Sequence, residues 1–294
     1  MTRWGILAAA VLAMAGCGTQ PEPRYLVGDP YRLGGVWSYP REDYALAETG
    51  LAEVLPAPMF GGQTANGEVL TAQGLTAAHR SLQMPAIIRV TNLENGRSML
   101  LRVNDRGPEK PGRILGVSPR AGALLGMTPG RATQIALVVD AEMSRAVAEA
   151  LPGHAPAPIT IAAAPRAAVA RDELAPLPGA REAPRREVLP LPSAAPMAEL
   201  PPQRRGTPLA LPEAVTQTAP RPGSIFVEAG QFSGRYGAEA VAARLPGARI
   251  SQQGRGRNAN FRVALGPFTE VRAADFALER TLAAGLSGAR IIVE

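Results

Sequence analysis

Residues 82–108 read LQMPAIIRVTNLENGRSMLLRVNDRGP. Two apolar, partly β-branched runs, 82–90 and 98–103, flank Asn92-Leu-Glu-Asn-Gly96. An Asn-Gly pair tolerates the positive φ angles of a tight hairpin turn, so the two runs are predicted to pair as antiparallel strands. The second run leads straight into Asn104-Asp105-Arg106-Gly107-Pro108, which reads as a turn. Further along, 134–139 has the make-up of another buried strand. Residues 118–127 carry alanine and leucine at helical spacing behind Ser118-Pro119, a capping residue followed by proline at the first helical position. Short strands, a short helix and no long amphipathic segment predict a small closed β-barrel over residues 50–140.

Upstream of the hairpin lie Thr64-Ala-Asn66-Gly-Glu68 and Ala77-Ala-His79. With Asp105 they bring two carboxylates and one of the protein's two histidines into one region of sequence. A turn carboxyl serves as a general acid and base where burial raises its proton affinity. A turn aspartate capping local amides and paired with Arg106 is the structural alternative. His79 is open to two readings, a satisfied structural group or a catalytic one.

The net charge of +6 and pI near 10.2 suit an acidic partner. Lys110 is the only lysine, however, and no block of like charge occurs, so a nucleic-acid partner is not expected. The single cysteine, Cys17, excludes an intramolecular disulfide and a thiolate zinc cluster, and no metal or cofactor is expected.

The ends of the chain read differently. Arg3, an apolar run over 5–14 and Met14-Ala-Gly-Cys17 form a secretory signal over 1–16, too short to span a bilayer as a helix. Residues 17–49 form an arm carrying Tyr25, Tyr31, Trp37, Tyr39 and Tyr44, which either stack on sugar rings or, the favoured reading, anchor the arm on the following domain. Residues 151–222, rich in proline, alanine and arginine, read as a disordered linker with a solvated His154, long enough to span roughly 45 Å as a flexible coil. From 223 to 294 strand patterns at 225–229, 261–265 and 289–293 alternate with helical ones at 238–245 and 273–284, predicting an RNP-like α/β sandwich. Its Phe226, Phe232, Phe261 and Phe268 are either an aromatic binding face or core, and Arg255, Arg257 and Arg262 are candidate contacts to acidic or hydroxyl-rich partners.

Thr64-Ala-Asn-Gly-Glu68, Leu75-Thr-Ala-Ala-His79-Arg-Ser-Leu, Val90-Thr-Asn-Leu-Glu-Asn-Gly-Arg-Ser98 and Asn104-Asp-Arg-Gly-Pro108 together resemble the rare lipoprotein A family. The resemblance implies a double-psi β-barrel and a lytic transglycosylase that cuts the MurNAc–GlcNAc bond of peptide-free peptidoglycan strands, leaving 1,6-anhydro ends. It implies Asp105, Glu68 and His79 as catalytic residues, and Asn66, Asn104 and Arg106 as substrate contacts. The ending at Cys17 resembles a lipobox, which implies an acylated cysteine and a place on the periplasmic face of the membrane; Gly18 after it favours the outer membrane. The C-terminal half-units resemble the SPOR domain, which binds stripped glycan at division sites, with Phe226, Phe232 and Phe268 as its contacts. Three positions depart from these patterns. Glu53-Val54-Leu55 replaces a Ser-Trp-Tyr, Gly116 replaces an aspartate, and Glu228 replaces a glutamine. The second departure leaves the chemistry to Asp105, with a glycan-binding barrel that does not cut as the alternative.

Overall fold

The computed structural model describes residues 22–154, 211–254 and 259–294. The expected signal, Cys17, most of the proline-rich linker, Arg255 and Arg257 lie outside these residues. The arm contributes a small hairpin, β1 (Tyr31–Leu33) with β2 (Val36–Ser38). Six strands then close a barrel: β3 (Ala47–Val54), β4 (Thr76–His79), β5 (Ala86–Asn92), β6 (Arg97–Asp105), β7 (Arg113–Val117) and β8 (Thr133–Val139). Their order is β4-β7-β3-β8-β5-β6, and a β4–β6 pairing shuts the ring. Two of the pairs, β3–β7 and β4–β6, are parallel, which no simple meander produces.

The predicted hairpin is β5 and β6, in register from Ala86 opposite Val103 to Thr91 opposite Ser98, with Gly96 at φ 78° in its turn. The 3.6-residue pattern is α1 (Pro119–Leu125), where the Ser118 hydroxyl accepts the Ala121 N–H and Gly126 closes the helix at φ 70°. The sequence reading left out α2 (Ala141–Glu149), capped by Asp140. This helix covers the outer side of β5, where Ser144 hydrogen-bonds both the N–H and the carbonyl of Ile87. Ile87 and Ile88 are both fully buried, so the strand shows a continuous apolar run instead of alternation. Side chains from all six strands fill the barrel, among them Val54, Ala77, Ile88, Leu101, Leu115 and Leu137.

The arm is pinned to this barrel. Leu26 and Met84 exchange two backbone hydrogen bonds, the Tyr31 hydroxyl donates to the Arg80 carbonyl, and Arg145 lies over the Tyr44 ring. Trp37 and Tyr39 stay exposed, so the anchoring reading holds for only part of the aromatic set. His154, expected to be solvated, instead packs edge-on against Tyr25, with ring centroids 4.8 Å apart.

The last part of the expected linker, residues 211–222, is laid on the barrel. Strand β9 (Thr216–Gln217) pairs with β6, Arg221 N–H donates to Leu93, and Glu213 meets Arg120, so this part of the segment expected to lack structure has it. The C-terminal domain follows as β10 (Ile225–Phe232), α3 (Arg235–Ala242), β11 (Arg249–Gln253), β12 (Asn260–Phe268), α4 (Val271–Ala283) and β13 (Arg290–Val293). Its sheet order, β11-β12-β10-β13, is the βαββαβ arrangement of a split βαβ fold, an RNP-like α/β sandwich as expected. This domain is docked on the barrel through β13 and α4. Leu51 of β3, fully buried, packs into the C-terminal core with Leu278 and Ile291, and Thr49 donates to the Val293 carbonyl at 2.5 Å. Asp275 of α4 takes Arg113 in a two-pronged pair at 2.7 and 2.8 Å, with Lys110 at 3.2 Å.

Candidate active site

The turn of residues 64–68 stands between the two predicted carboxylates and touches both. Thr64 N–H donates to the Glu68 carbonyl, and the Thr64 hydroxyl donates to Asn66 Oδ1. On one side of this turn Glu68 is saturated. Its Oε1 accepts Arg102 Nε (2.9 Å), Arg102 Nη2 (2.6 Å) and Asn66 Nδ2 (2.9 Å), while Oε2 accepts Asn104 Nδ2 (2.9 Å). Burial alone would push this carboxyl up, but Arg102, Asn104 and Asn66 outweigh it and hold it below its ordinary value. Glu68 is therefore an anion held in place by four side-chain hydrogen bonds, three on Oε1 and one on Oε2. Asn66 and Asn104, expected at the substrate, are buried to 0% and 1% exposure and spend their amides on Glu68.

On the other side of the turn, Asp105 ends β6. Its Oδ1 accepts the backbone N–H of Ala65 (3.0 Å) and of Arg106 (2.8 Å). Its Oδ2 has no hydrogen-bond partner among the described residues. The residue is half-buried. Desolvation raises its proton affinity, and the two backbone donors and the Arg106 charge offset this only in part, leaving the carboxyl above its ordinary value. Of the structural alternative for Asp105, the capping of local amides is present, while the side-chain pair with Arg106 is not formed. The Arg106 guanidinium donates instead to the carbonyls of Leu82 and Val27 and lies 5.7 Å from the Tyr31 ring centre, so it ties the arm to the barrel.

His79 ends β4, one residue after Ala78, which pairs with Asp105 across β4–β6, and neither Glu68 nor Asp105 is among its hydrogen-bond partners. Its Nδ1 accepts the N–H of Ser81 (3.2 Å) and Leu82 (3.1 Å), which puts the ring proton on Nε2, facing Glu48 at 2.9 Å. Every ring nitrogen is used and the side chain is 4% exposed, so the structural reading of this histidine fits its surroundings. Glu48 and Arg102, the partners of His79 and Glu68, were missed in the sequence; both sit in strands whose faces the pattern alone did not assign.

A cleft of about 570 Å³ is walled by the residues that directly follow Asp105 in the chain, Asp105 itself not being among its lining. Arg106, Gly107 and Pro108, directly after Asp105, form one wall, and Leu33 and Gly34 of the arm hairpin, with Leu55, Pro56 and Met59, form others. Gly116 lies beneath Leu55: a Cβ added there would come within 2.5 Å of Leu55 Cδ2. Among the described residues no group of His, Cys, Asp and Glu is arranged to hold a metal ion.

In the C-terminal domain Phe232, Phe261 and Phe268 pack against the core, and only Phe226 faces the open side of the sheet, under Arg262. Arg262 and Glu228, 6% exposed each, form a buried ion pair extended by Arg290 and Glu294, so Arg262 is committed within the domain.

Residues 52–139 match the protein family described as lytic transglycolase. The endolytic peptidoglycan transglycosylase RlpA of Rickettsia bellii is 40% identical over 104 residues, which is 34% of this chain and 46% of that one. The protein of the same name from Pseudomonas aeruginosa is 42% identical over 99 residues, 33% of this chain and 29% of its own, and that of Vibrio cholerae 30% over 169 residues, 47% and 64% respectively. The chain thus spans about half or less of the length of the first two. The crystal structure of the RlpA SPOR domain from Pseudomonas aeruginosa aligns at 23% identity with a TM-score of 0.22, covering 24% of this chain and 99% of that one.

Proposed function

We propose, from a barrel that matches the lytic transglycolase family model and is similar to RlpA proteins, that this protein is an endolytic lytic transglycosylase acting on peptide-free peptidoglycan strands. One observation carries the reading. Asp105, directly before the residues that wall the cleft, is a half-buried carboxyl with raised proton affinity and an Oδ2 without a hydrogen-bond partner among the described residues. Protonated, Asp105 gives its proton to the departing glycosidic oxygen as the C1–O bond breaks. The 6-hydroxyl of the same sugar attacks C1, and the Asp105 carboxylate takes the hydroxyl proton, which restores the acid. No water enters the balance, so one carboxyl suffices, whereas hydrolysis needs a second to handle water. Glu68, anionic and immobile, sets the turn that donates Ala65 N–H to Asp105. The C-terminal domain would bring the enzyme to stripped glycan at the division septum, and acylated Cys17 would hold it at the periplasmic face of the outer membrane.

Incubating the full chain with amidase-stripped glycan and reading the products by mass spectrometry tests the activity. Anhydro ends are expected from the wild type and none from Asp105→Asn. Binding without any anhydro product would leave the second reading, a glycan-binding barrel that does not cut. That reading is favoured by Gly116, where Leu55 fills the space a second carboxylate would occupy. Metabolic lipid labelling of wild type beside Cys17→Ala tests the anchor, with label expected only in the former.

A further inference from the structure

The cleft holds a carboxyl that the proposed chemistry does not use. Glu53 lies on the outer face of β3, since its neighbours Ala52 and Val54 point into the barrel core. In the parallel β3–β7 pairing it stands directly opposite Gly116, and residues so paired project from the same face of a sheet. The position that offers no side chain therefore has a carboxylate on the adjoining strand. Glu53 lines the cleft with Leu55, Gly107 and Pro108 and is half-buried. It makes no hydrogen bond and no ion pair among the described residues, although Arg113 and Lys110 are near enough to act on it. Asp275 has claimed both cations. Desolvation, with a smaller push from Asp275, leaves the Glu53 carboxyl above its ordinary value despite Arg113 and Lys110. Of the other charged groups lining the cleft, Glu109 and Lys110 are exposed, and Arg106 is half-buried with its guanidinium donating to the carbonyls of Leu82 and Val27. A partly desolvated carboxyl with no partner costs folding stability, and such uncompensated groups concentrate where function requires them.

We propose that Glu53 is a substrate-contacting residue of the cleft, accepting a hydrogen bond from a sugar hydroxyl or N-acetyl N–H and so seating the glycan against the wall that follows Asp105. This rests on the glycan-cutting reading of the barrel. A neutral or anionic acceptor serves equally, so the contact needs an oxygen at this place more than a charge.

The test uses the full chain in an Asp105→Asn background, which binds glycan without consuming it, and a peptide-free glycan tetrasaccharide as titrant in calorimetry. Glu53→Ala is expected to weaken binding about tenfold, the size of one hydrogen bond to a carboxyl. Glu53→Gln, which keeps a carbonyl acceptor, is expected to recover most of that loss. With Asp105 intact, Glu53→Ala should raise KM by a similar factor and leave kcat within about twofold. Thermal unfolding of both variants at or above the parent midpoint excludes a folding defect. Unchanged affinity and KM in Glu53→Ala overturns the proposal even where the wild type cuts glycan, and a loss that Glu53→Gln does not rescue overturns it too. Absence of both binding and cleavage in the wild type removes the glycan reading itself, and this proposal with it.

Discussion

Glu68 and Asp105 flank one turn and live in opposite surroundings. Glu68 has four hydrogen bonds from three side chains, all drawn from the turn and from β6. Asp105, at the end of the same strand, has two backbone donors on one oxygen and nothing on the other. Both are desolvated, yet the partners invert the outcome, depressing one proton affinity and leaving the other raised. Burial alone does not make an acid; burial with an unfilled acceptor does.

The largest expected effect lies on the open side. Asp105→Asn keeps an Oδ1 acceptor for the Ala65 and Arg106 N–H groups, so anhydro product should fall by on the order of 10³-fold while the fold stays intact, measured by product yield beside circular dichroism. The saturated side should answer the other way. Glu68→Ala strands the Arg102 guanidinium, 9% exposed, without its anion, and about 3 kcal/mol of unfolding free energy should be lost in urea titration. A Glu68→Ala protein as stable as the parent would erase the contrast.

Acid separates the two carboxyls more finely. Because the folded Glu68 value lies below the ordinary carboxylate range, its stabilisation is complete above that range and fades as pH falls through the folded value. Asp105 is raised, so its favourable contribution holds below the ordinary range and is lost as pH rises through the folded value. Asp105→Asn should therefore unfold at or above the parent temperature at neutral pH, with the difference vanishing in acid. The smallest effect is expected at Gly116. Gly116→Asp must push the flexible end of Leu55 aside, so it should lower the midpoint of thermal unfolding by a few degrees, and Leu55→Ala in the same chain should restore part of it.

The hairpin and α1 were legible because their signals are local: Asn95-Gly96 in a turn and Ser118-Pro119 at a helix start. Strands β4 and β7 were not. Thr76–His79 is four residues long with two alanines, and its strand state comes from being clasped between β6 and β7, which no local propensity reports. Strand β11 escaped because all five of its residues are exposed at the sheet edge, leaving no alternation to read. The site was legible as a set of residues but not as an arrangement. The motif spacing brought Glu68 and Asp105 to one turn, whereas His79, one residue past the partner of Asp105 in the β4–β6 pairing, hydrogen-bonds Glu48 of β3, on the far side of β7 in the sheet order. Arg102 looked like an ordinary strand cation until β6 met β4, and Glu53 carried no signal beyond being out of place.

The pairing of β9 with β6, together with the seating of Leu51 in the C-terminal core, means that the barrel holds the downstream part of the chain by surface as well as by sequence. Severing the peptide backbone anywhere within residues 155–207 should then produce two polypeptides on a denaturing gel and one particle in gel filtration. Separately expressed halves, 18–154 and 208–294, should find each other in solution, and Asp275→Ala, which releases Arg113 and Lys110, should weaken that association.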